Sequence, residues 1–162
     1  MLGRAISLAF AILITACATP SPQTASGTPA ASVVGEPSMS AAPTPAFTVE
    51  EADKAPAGSI EILLTFGPVF EPEEVSTPAG TIAFFLQNDQ GDGPPAVHNF
   101  LLGTSMEEPP LATSPILATG EGVVLTVDGV EPGTYTYWCT VPSPDGQSHA
   151  MDGMVGRLTV TP

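Results

Sequence analysis

Beyond residue 58 the chain alternates short apolar segments with turn residues, and no window of twelve or more residues has a helical apolar period. Segments rich in Val, Thr, Ile and Phe, with the length of β-strands, lie at 59–66, 73–77, 81–87, 97–102, 123–127, 133–140 and 155–160. About seven to eight strands with frequent turns predict an all-β fold, a β-sandwich with Greek-key connections.

The first residues have the features of an export signal. Arg4 precedes an apolar run from Ala5 to Ile14, which is too short to span a bilayer as a stable helix. The run ends in Ile14-Thr15-Ala16-Cys17, which resembles the bacterial lipobox. This resemblance implies a lipoprotein signal peptide at 1–16 and a lipid on Cys17. An ordinary secretory peptide with an incidental Cys is the alternative, and it also predicts export.

Residues 18–57 consist largely of Pro, Ser, Thr, Ala and Gly, without periodic apolar residues. Such a segment cannot bury enough apolar surface to offset the entropy of ordering it. We therefore predict that 17–57 is the lipidated Cys followed by a disordered tether, and that the folded domain spans 58–162. The protein is then anchored to the bacterial cell membrane, with its domain facing the periplasm or the extracellular side.

The charge balance restricts the partners of this chain. Its 17 acidic and three basic residues give a formal net charge of −14. Nucleic acid is excluded as a partner class, because phosphate contacts need clustered Lys and Arg. A basic protein is an electrostatically suitable partner. The alternative is that the acidity only keeps an exported protein soluble.

Two His and one Cys in the predicted domain supply the donor atoms of a metal site. His98, His149, Cys139 and Cys17 are all the His and Cys residues of the chain, and Cys17 belongs to the predicted lipobox. Two imidazoles and one thiolate are the equatorial ligands of a mononuclear blue copper site, which a weak axial thioether usually completes. One copper ion that alternates between Cu(I) and Cu(II) is therefore the predicted cofactor. Zinc also accepts His and Cys, but a thioether suits it poorly.

The segment 133–160 reads GTYTYWCTVPSPDGQSHAMDGMVGRLTV and resembles the cupredoxin family, which includes plastocyanin, azurin and auracyanin. In that family an aromatic-rich strand is followed by Cys, a loop, His, a few residues, Met and the final strand. Val97-His98-Asn99-Phe100 resembles the strand that carries the first His. The resemblance implies a cupredoxin-like sandwich and four copper ligands, His98, Cys139, His149 and Met154. An immunoglobulin-like sandwich is disfavoured, since the domain lacks a second Cys for the usual disulfide.

The resemblance also implies roles for residues beside the ligands. Asn99 and Thr140 occupy positions that bridge the two ligand segments by hydrogen bonds and keep them rigid. Met154 is preferred over Met151 as the axial ligand, because His-x4-Met followed by Val-Gly matches the family pattern. The nine residues between Cys139 and His149 exceed the loop of the small electron carriers, which leaves the loop shape and the docking surface open.

These features predict a single-electron carrier rather than an enzyme, and a monomer. Its expected partner is a redox protein such as a c-type cytochrome or a membrane oxidoreductase. An extracytoplasmic copper-binding chaperone or storage module is the alternative, although such proteins usually have several soft ligands in Met- and His-rich motifs. A catalytic copper would need further His residues, which the sequence lacks. Ser148, His149 and Asp152 lie too close in sequence to act as a hydrolase triad.

Overall fold

Ten short strands follow one another along residues 45–162, the part of the chain that the computed structural model describes. They are β1 (Phe47–Glu51), β2 (Ile60–Thr65), β3 (Val69–Glu71), β4 (Glu74–Pro78), β5 (Gly80–Asn88), β6 (Leu101–Gly103), β7 (Ala112–Thr113), β8 (Gly122–Val130), β9 (Gly133–Trp138) and β10 (Val155–Thr161). Within this range no helix is long and apolar enough to cross a membrane.

The strands form two five-stranded sheets, in the orders β1-β8-β5-β2-β3 and β4-β10-β9-β6-β7. Strand β5 pairs antiparallel with β8 and parallel with β2. Strand β10 pairs antiparallel with β9 and parallel with β4. Consecutive strands therefore often lie in different sheets. The predicted all-β sandwich is confirmed, with ten strands instead of seven or eight.

Residues on the inner faces of both sheets form one apolar core. Alternate positions of the central strands are buried, as the period of two in a strand requires. Rings from both sheets meet in the middle with centroids 5.2–5.8 Å apart, and they belong to Phe70, Phe84, Phe100 and Tyr137. This aromatic cluster is the apolar base on which the end of the sandwich with Cys139 is built.

Strand β1 corrects the predicted start of the folded domain. The sequence predicts a tether as far as residue 57, but Phe47–Glu51 pair antiparallel with β8, with Phe47 opposite Val127 and Glu51 opposite Val123. All five residues of β1 are exposed, so the strand depends on backbone pairing and has no buried alternation for the sequence to reveal. The predicted signal peptide at 1–16, the predicted lipid on Cys17 and the tether up to residue 44 lie outside the described residues.

The predicted strand 97–102 is a strand only at its end. Strand β6 begins at Leu101, and His98 forms an isolated antiparallel bridge with Leu117. The His98 N–H donates to the Leu117 carbonyl at 3.1 Å, and the Leu117 N–H donates back at 2.7 Å. Strands β3 and β7, which the sequence does not predict, have only three and two residues. His98 is thus paired by two backbone hydrogen bonds with Leu117, which lies between β7 and β8 and belongs to neither strand.

Gly156 provides a test of the packing between β9 and β10. A Cβ at residue 156 would overlap with ring atoms of Tyr137, which is buried and donates from its hydroxyl to the Pro72 carbonyl at 2.7 Å. Gly156→Ala should therefore lower the free energy of unfolding by about 1–3 kcal/mol, because the ring must move. Chemical denaturation of the metal-free protein measures this change.

Gly133→Ala is the matched control on β9, since its Cβ would meet no atom closer than 3.6 Å. Its effect should stay within about 0.5 kcal/mol. Equal losses for the two variants would contradict this description of the packing.

Candidate metal centre

The loop with three of the predicted ligands begins and ends on neighbouring strands. Cys139 follows the last residue of β9, Met154 precedes the first residue of β10, and Trp138 and Val155 are register partners. The Cys139 N–H donates to the Met154 carbonyl at 3.3 Å, and the Ala150 N–H donates to the Cys139 carbonyl at 2.9 Å. The chain therefore leaves and re-enters the sheet at the same point.

His149 is fixed inside this loop by further backbone hydrogen bonds. Its N–H donates to the Val141 carbonyl at 2.8 Å, and its carbonyl accepts from the Met154 N–H at 2.8 Å. An isolated bridge joins Pro142 to Ser148 and separates residues 143–147 from the rest of the loop. The long interval between Cys139 and His149 is thus taken up by a small hairpin, in which residues 144–147 are exposed.

The side chains of His98, Cys139 and His149 converge at this end of the sandwich. The two Nδ1 atoms lie 3.1 Å apart, and Cys139 Sγ lies 3.5 Å from Nδ1 of His149 and 4.0 Å from Nδ1 of His98. Donor atoms about 2.0–2.3 Å from one ion, the usual range for nitrogen and sulfur ligands of zinc, are separated by roughly 3–4 Å. The three atoms therefore have the spacing of ligands of a single ion.

The types of donor indicate which metal fits this cluster. A thiol sulfur suits soft ions, an imidazole nitrogen suits borderline ions, and a set of two imidazoles and one thiolate is typical of blue copper sites. Both imidazoles point an Nδ1 atom at the same place, where at most one proton could be shared between the two nitrogens. One cation that accepts all three lone pairs satisfies the cluster, so the residues fit a copper ion.

Burial sets the protonation of these groups. Burial, followed by the nearby imidazole of His149, lowers the pKa of His98 to about 4. Burial also lowers the pKa of His149, which the charge of Asp152 opposes. Burial raises the pKa of the Cys139 thiol, against the backbone N–H groups of Asn99 and Val141. Near neutral pH both imidazoles are therefore free to act as ligands, whereas metal binding must displace the thiol proton.

The two candidate axial methionines have opposite environments. Met154 is fully buried in the core next to the loop, whereas Met151 is 71% exposed. An axial ligand must approach the three donor atoms from the core side of the site. The burial of Met154 agrees with this role, and the exposure of Met151 does not. The role of Met154 as a ligand stays a prediction, as do the roles of the three converging residues.

Asn99 and Thr140 join the His98 segment to the Cys139 segment. The Asn99 side-chain amide donates to Thr140 Oγ1 at 2.9 Å, and its carbonyl oxygen accepts from the Thr140 N–H at 2.9 Å. The backbone N–H of Asn99 also points at Cys139 Sγ, at 3.5 Å. The structure therefore has the bridge that the sequence predicts between these two residues.

Sequence reasoning missed two contacts of the site. The Val141 N–H opposes the rise in the pKa of the Cys139 thiol, and Leu117 pairs with the His98 backbone. Both are backbone interactions, for which the type of side chain gives no signal. Only the position of Val141, two residues after the Cys, would have suggested the first of them.

The bridge between the two segments should contribute to metal affinity. Asn99→Ala removes both hydrogen bonds, so Cu(II) affinity should fall by about 10–100-fold, the usual effect of losing such a supporting group. Thr140→Val should have a smaller effect, because the Thr140 N–H then has its Asn99 acceptor still in place. Competitive titration with a chelator measures both affinities, and equal values for the two variants would contradict the bridge.

Known proteins resemble this chain in sequence and in structure. Residues 67–161 match the model of a family described as copper binding proteins, plastocyanin/azurin family. A plastocyanin from Prochlorothrix hollandica is 31% identical over 133 residues, which is 79% of this chain and 84% of that protein.

Two auracyanin structures are similar in fold. Auracyanin B has a TM-score of 0.54 and 26% identity, covering 69% of this chain and 94% of its own. A reduced auracyanin from the photosynthetic bacterium Roseiflexus castenholzii has a TM-score of 0.54 and 23% identity, covering 67% of this chain and 100% of its own.

Proposed function

This chain belongs to the plastocyanin/azurin family of copper-binding proteins, and we propose that it is a single-electron carrier with one mononuclear type 1 copper centre. The observation that carries this proposal is the convergence of His98, Cys139 and His149 within 4.0 Å. Bound copper would supply the Cu(II)/Cu(I) couple. The protein holds the donors in place while the charge of the ion changes.

Family membership confirms three predictions from the sequence. These are the cupredoxin resemblance, the single copper cofactor, and a copper-binding electron-transfer protein that is not an enzyme. The carrier's partner, its cellular location and the individual ligands belong to the proposal.

Burial favours an electron carrier over a copper chaperone or storage module. Cys139 and Met154 are fully buried, and His98 is 1% exposed. A chaperone must release its ion to another protein, which requires ligands that solvent or a partner can reach. Electrons need no such access, because they can pass through an intervening side chain. Three buried ligands of the four therefore suit electron transfer.

His149 is the proposed route by which electrons enter and leave. It is the half-buried member of the cluster, and the exposed Met151, Pro142 and Pro144 lie near it in the same loop. A partner that covers this surface would bring its own redox centre close to the His149 ring. The hairpin 143–147 borders the surface and would contribute to the choice of partner.

The proposed copper centre has a direct spectroscopic test. Cys139→Ser should abolish the intense thiolate-to-copper absorption band of the Cu(II)-loaded protein, since the sulfur ligand is lost. Met154→Leu should retain the band and raise the reduction potential, because removal of a weak axial donor destabilises Cu(II) more than Cu(I). Visible and EPR spectra, together with voltammetry, measure these effects.

Met151→Leu is the matched control, and it should leave both the spectrum and the potential unchanged. Wild-type protein without an intense band or narrow EPR hyperfine splitting would refute the type 1 copper centre. Rapid loss of copper to a chelator, with poor redox reversibility, would favour the chaperone alternative instead.

The proposed partner is a basic redox protein, such as a c-type cytochrome, or a membrane oxidoreductase. The formal net charge is −14, and Lys54 and Arg157 are the only Lys or Arg among the described residues. Arg157 is close to Glu74, at 3.7 Å. The surface thus offers a basic partner little repulsion.

Electron transfer with a basic c-type cytochrome should slow as ionic strength rises, because salt screens the attraction. At low ionic strength Asp145→Asn, in the hairpin beside His149, should reduce the bimolecular rate by roughly two-fold or more. Glu131→Gln, in the turn at the other end of β9, should reduce it less. Stopped-flow mixing measures these rates, and a rate that rises with salt would exclude a basic partner.

We also propose that the exported protein is anchored by lipid on Cys17, which the lipobox-like Ile14-Thr15-Ala16-Cys17 supports. Expression of the full chain in bacteria should place it in the membrane fraction. Cys17→Ala should transfer it from that fraction, because the acyl chains that hold it there are no longer attached. Fractionation with immunodetection measures the distribution, and an unchanged distribution would rule out this anchor.

A further inference from the structure

The buried polar side chains of residues 45–162 gather around one segment of the chain. Five polar residues are buried, and they are Asn88, Gln90, His98, Asn99 and Ser114. Asn99 follows His98, and Ser114 accepts from the Phe100 N–H at 2.9 Å. Buried polar groups cost free energy unless they form hydrogen bonds, so their grouping here calls for a physical reason. Asn88 and Gln90 have no role in the site described above.

Asn88 connects the two stretches of backbone on either side of His98. It is the last residue of β5 and is fully buried. Its side-chain amide nitrogen donates to the Ala96 carbonyl at 2.9 Å and to the Leu117 carbonyl at 2.8 Å. Leu117 is the bridge partner of His98, and its carbonyl also accepts from the His98 N–H. One amide group thus holds both backbone segments that determine where His98 lies.

Gln90 fixes the orientation of the Asn88 amide. The side-chain nitrogen of Gln90 donates to Asn88 Oδ1 and, at 3.1 Å, to the Leu64 carbonyl on β2. Because a donor approaches Oδ1, the amide nitrogen of Asn88 must face the Ala96 and Leu117 carbonyls. Two donors on one atom are needed there, and among side chains of this size only a primary amide supplies them. Aspartate would place a negative charge against the two carbonyls.

This connection holds the His98 backbone on the side away from Asn99, whose contacts with Thr140 and Cys139 Sγ hold the other side. His98 belongs to no regular strand and has one bridge, to Leu117. A bridge that can slide would let the His98 ring move relative to Cys139 Sγ. The Asn88 amide joins that bridge to the end of β5, the central strand of its sheet.

We propose that Asn88, oriented by Gln90, is a positioning residue that fixes the His98 backbone and therefore holds Nδ1 beside Cys139 Sγ. The effect on copper rests on the proposed function, whereas the effect on the backbone does not. Since the connection consists only of protein groups, it acts in the metal-free protein as well.

The test uses Asn88→Leu, which keeps the approximate size of the side chain and removes its hydrogen bonds. In the metal-free protein, amide hydrogen exchange of His98 should become about ten-fold faster or more, as expected when a buried hydrogen bond is lost. In the copper-loaded protein, Cu(II) affinity should fall by about 10–100-fold and the reduction potential should shift.

Tyr135→Phe is the matched control, because it removes a hydrogen bond to the Glu131 carbonyl at the far end of β9. It should lower stability and speed the exchange of His98 only as much as that of other buried amides, without changing the copper affinity or the potential. If Asn88→Leu behaves like Tyr135→Phe in all three measurements, Asn88 is only a stabilising residue and the proposal is overturned.

Two further measurements keep the proposal testable if Asn88→Leu does not fold. Gln90→Leu retains Asn88 and should produce smaller changes in the same direction. In metal-free wild-type protein, the backbone N–H of His98 should exchange as slowly as the backbone N–H of Asn88, which donates to the Glu121 carbonyl. Fast exchange of His98 in that protein would overturn the proposal. If wild-type protein has no copper absorption band but the His98 N–H exchanges slowly, the carrier function is refuted and the role of Asn88 is not.

Discussion

Two imidazole nitrogens and one thiol sulfur within 4.0 Å of each other, at the end of an apolar core, are the arrangement on which this structure depends. Polar atoms in such a place lose contact with water, so they must be held by other protein groups. The loop hydrogen bonds at Cys139, the bridge at His98 and the contact between Asn99 and Thr140 all meet this need. The aromatic cluster below them supplies a base that resists compression.

The geometry of the β9–β10 pair explains how a long loop can carry a compact site. Antiparallel strands return the chain to the point where it left the sheet, so Cys139 and Met154 are close whatever the number of residues between them. His149 then needs only its own hydrogen bonds to Val141 and Met154. The hairpin 143–147 lies outside these contacts, and its length is therefore not limited by the ligands.

Much of the site could be predicted from the sequence, because the two His and the one domain Cys occur in a recognisable order. The strand around 133–140 was predictable because burial on one face leaves an alternating pattern, and the strand around 81–87 because it is a short apolar run bounded by turn residues. Strand β1 could not be predicted, because all of its residues are exposed. The pairing of His98 with Leu117 was also hidden, because backbone hydrogen bonds between distant residues impose no side-chain pattern.

The site combines a fixed interior side with an accessible outer side. His98 is the buried imidazole of the cluster, held through its backbone by Asn88, Asn99 and Leu117, and only 1% of its surface is exposed to solvent. His149 is half-buried on the loop, beside the exposed Met151 and the hairpin. The hydrogen bonds that fix the metal-donor atoms do not involve the tip of the hairpin. Substitutions at that tip can therefore alter the contact with a partner without moving those atoms. In the proposed carrier, substitutions in the hairpin would thus change the contact with a partner more than the positions of the metal ligands.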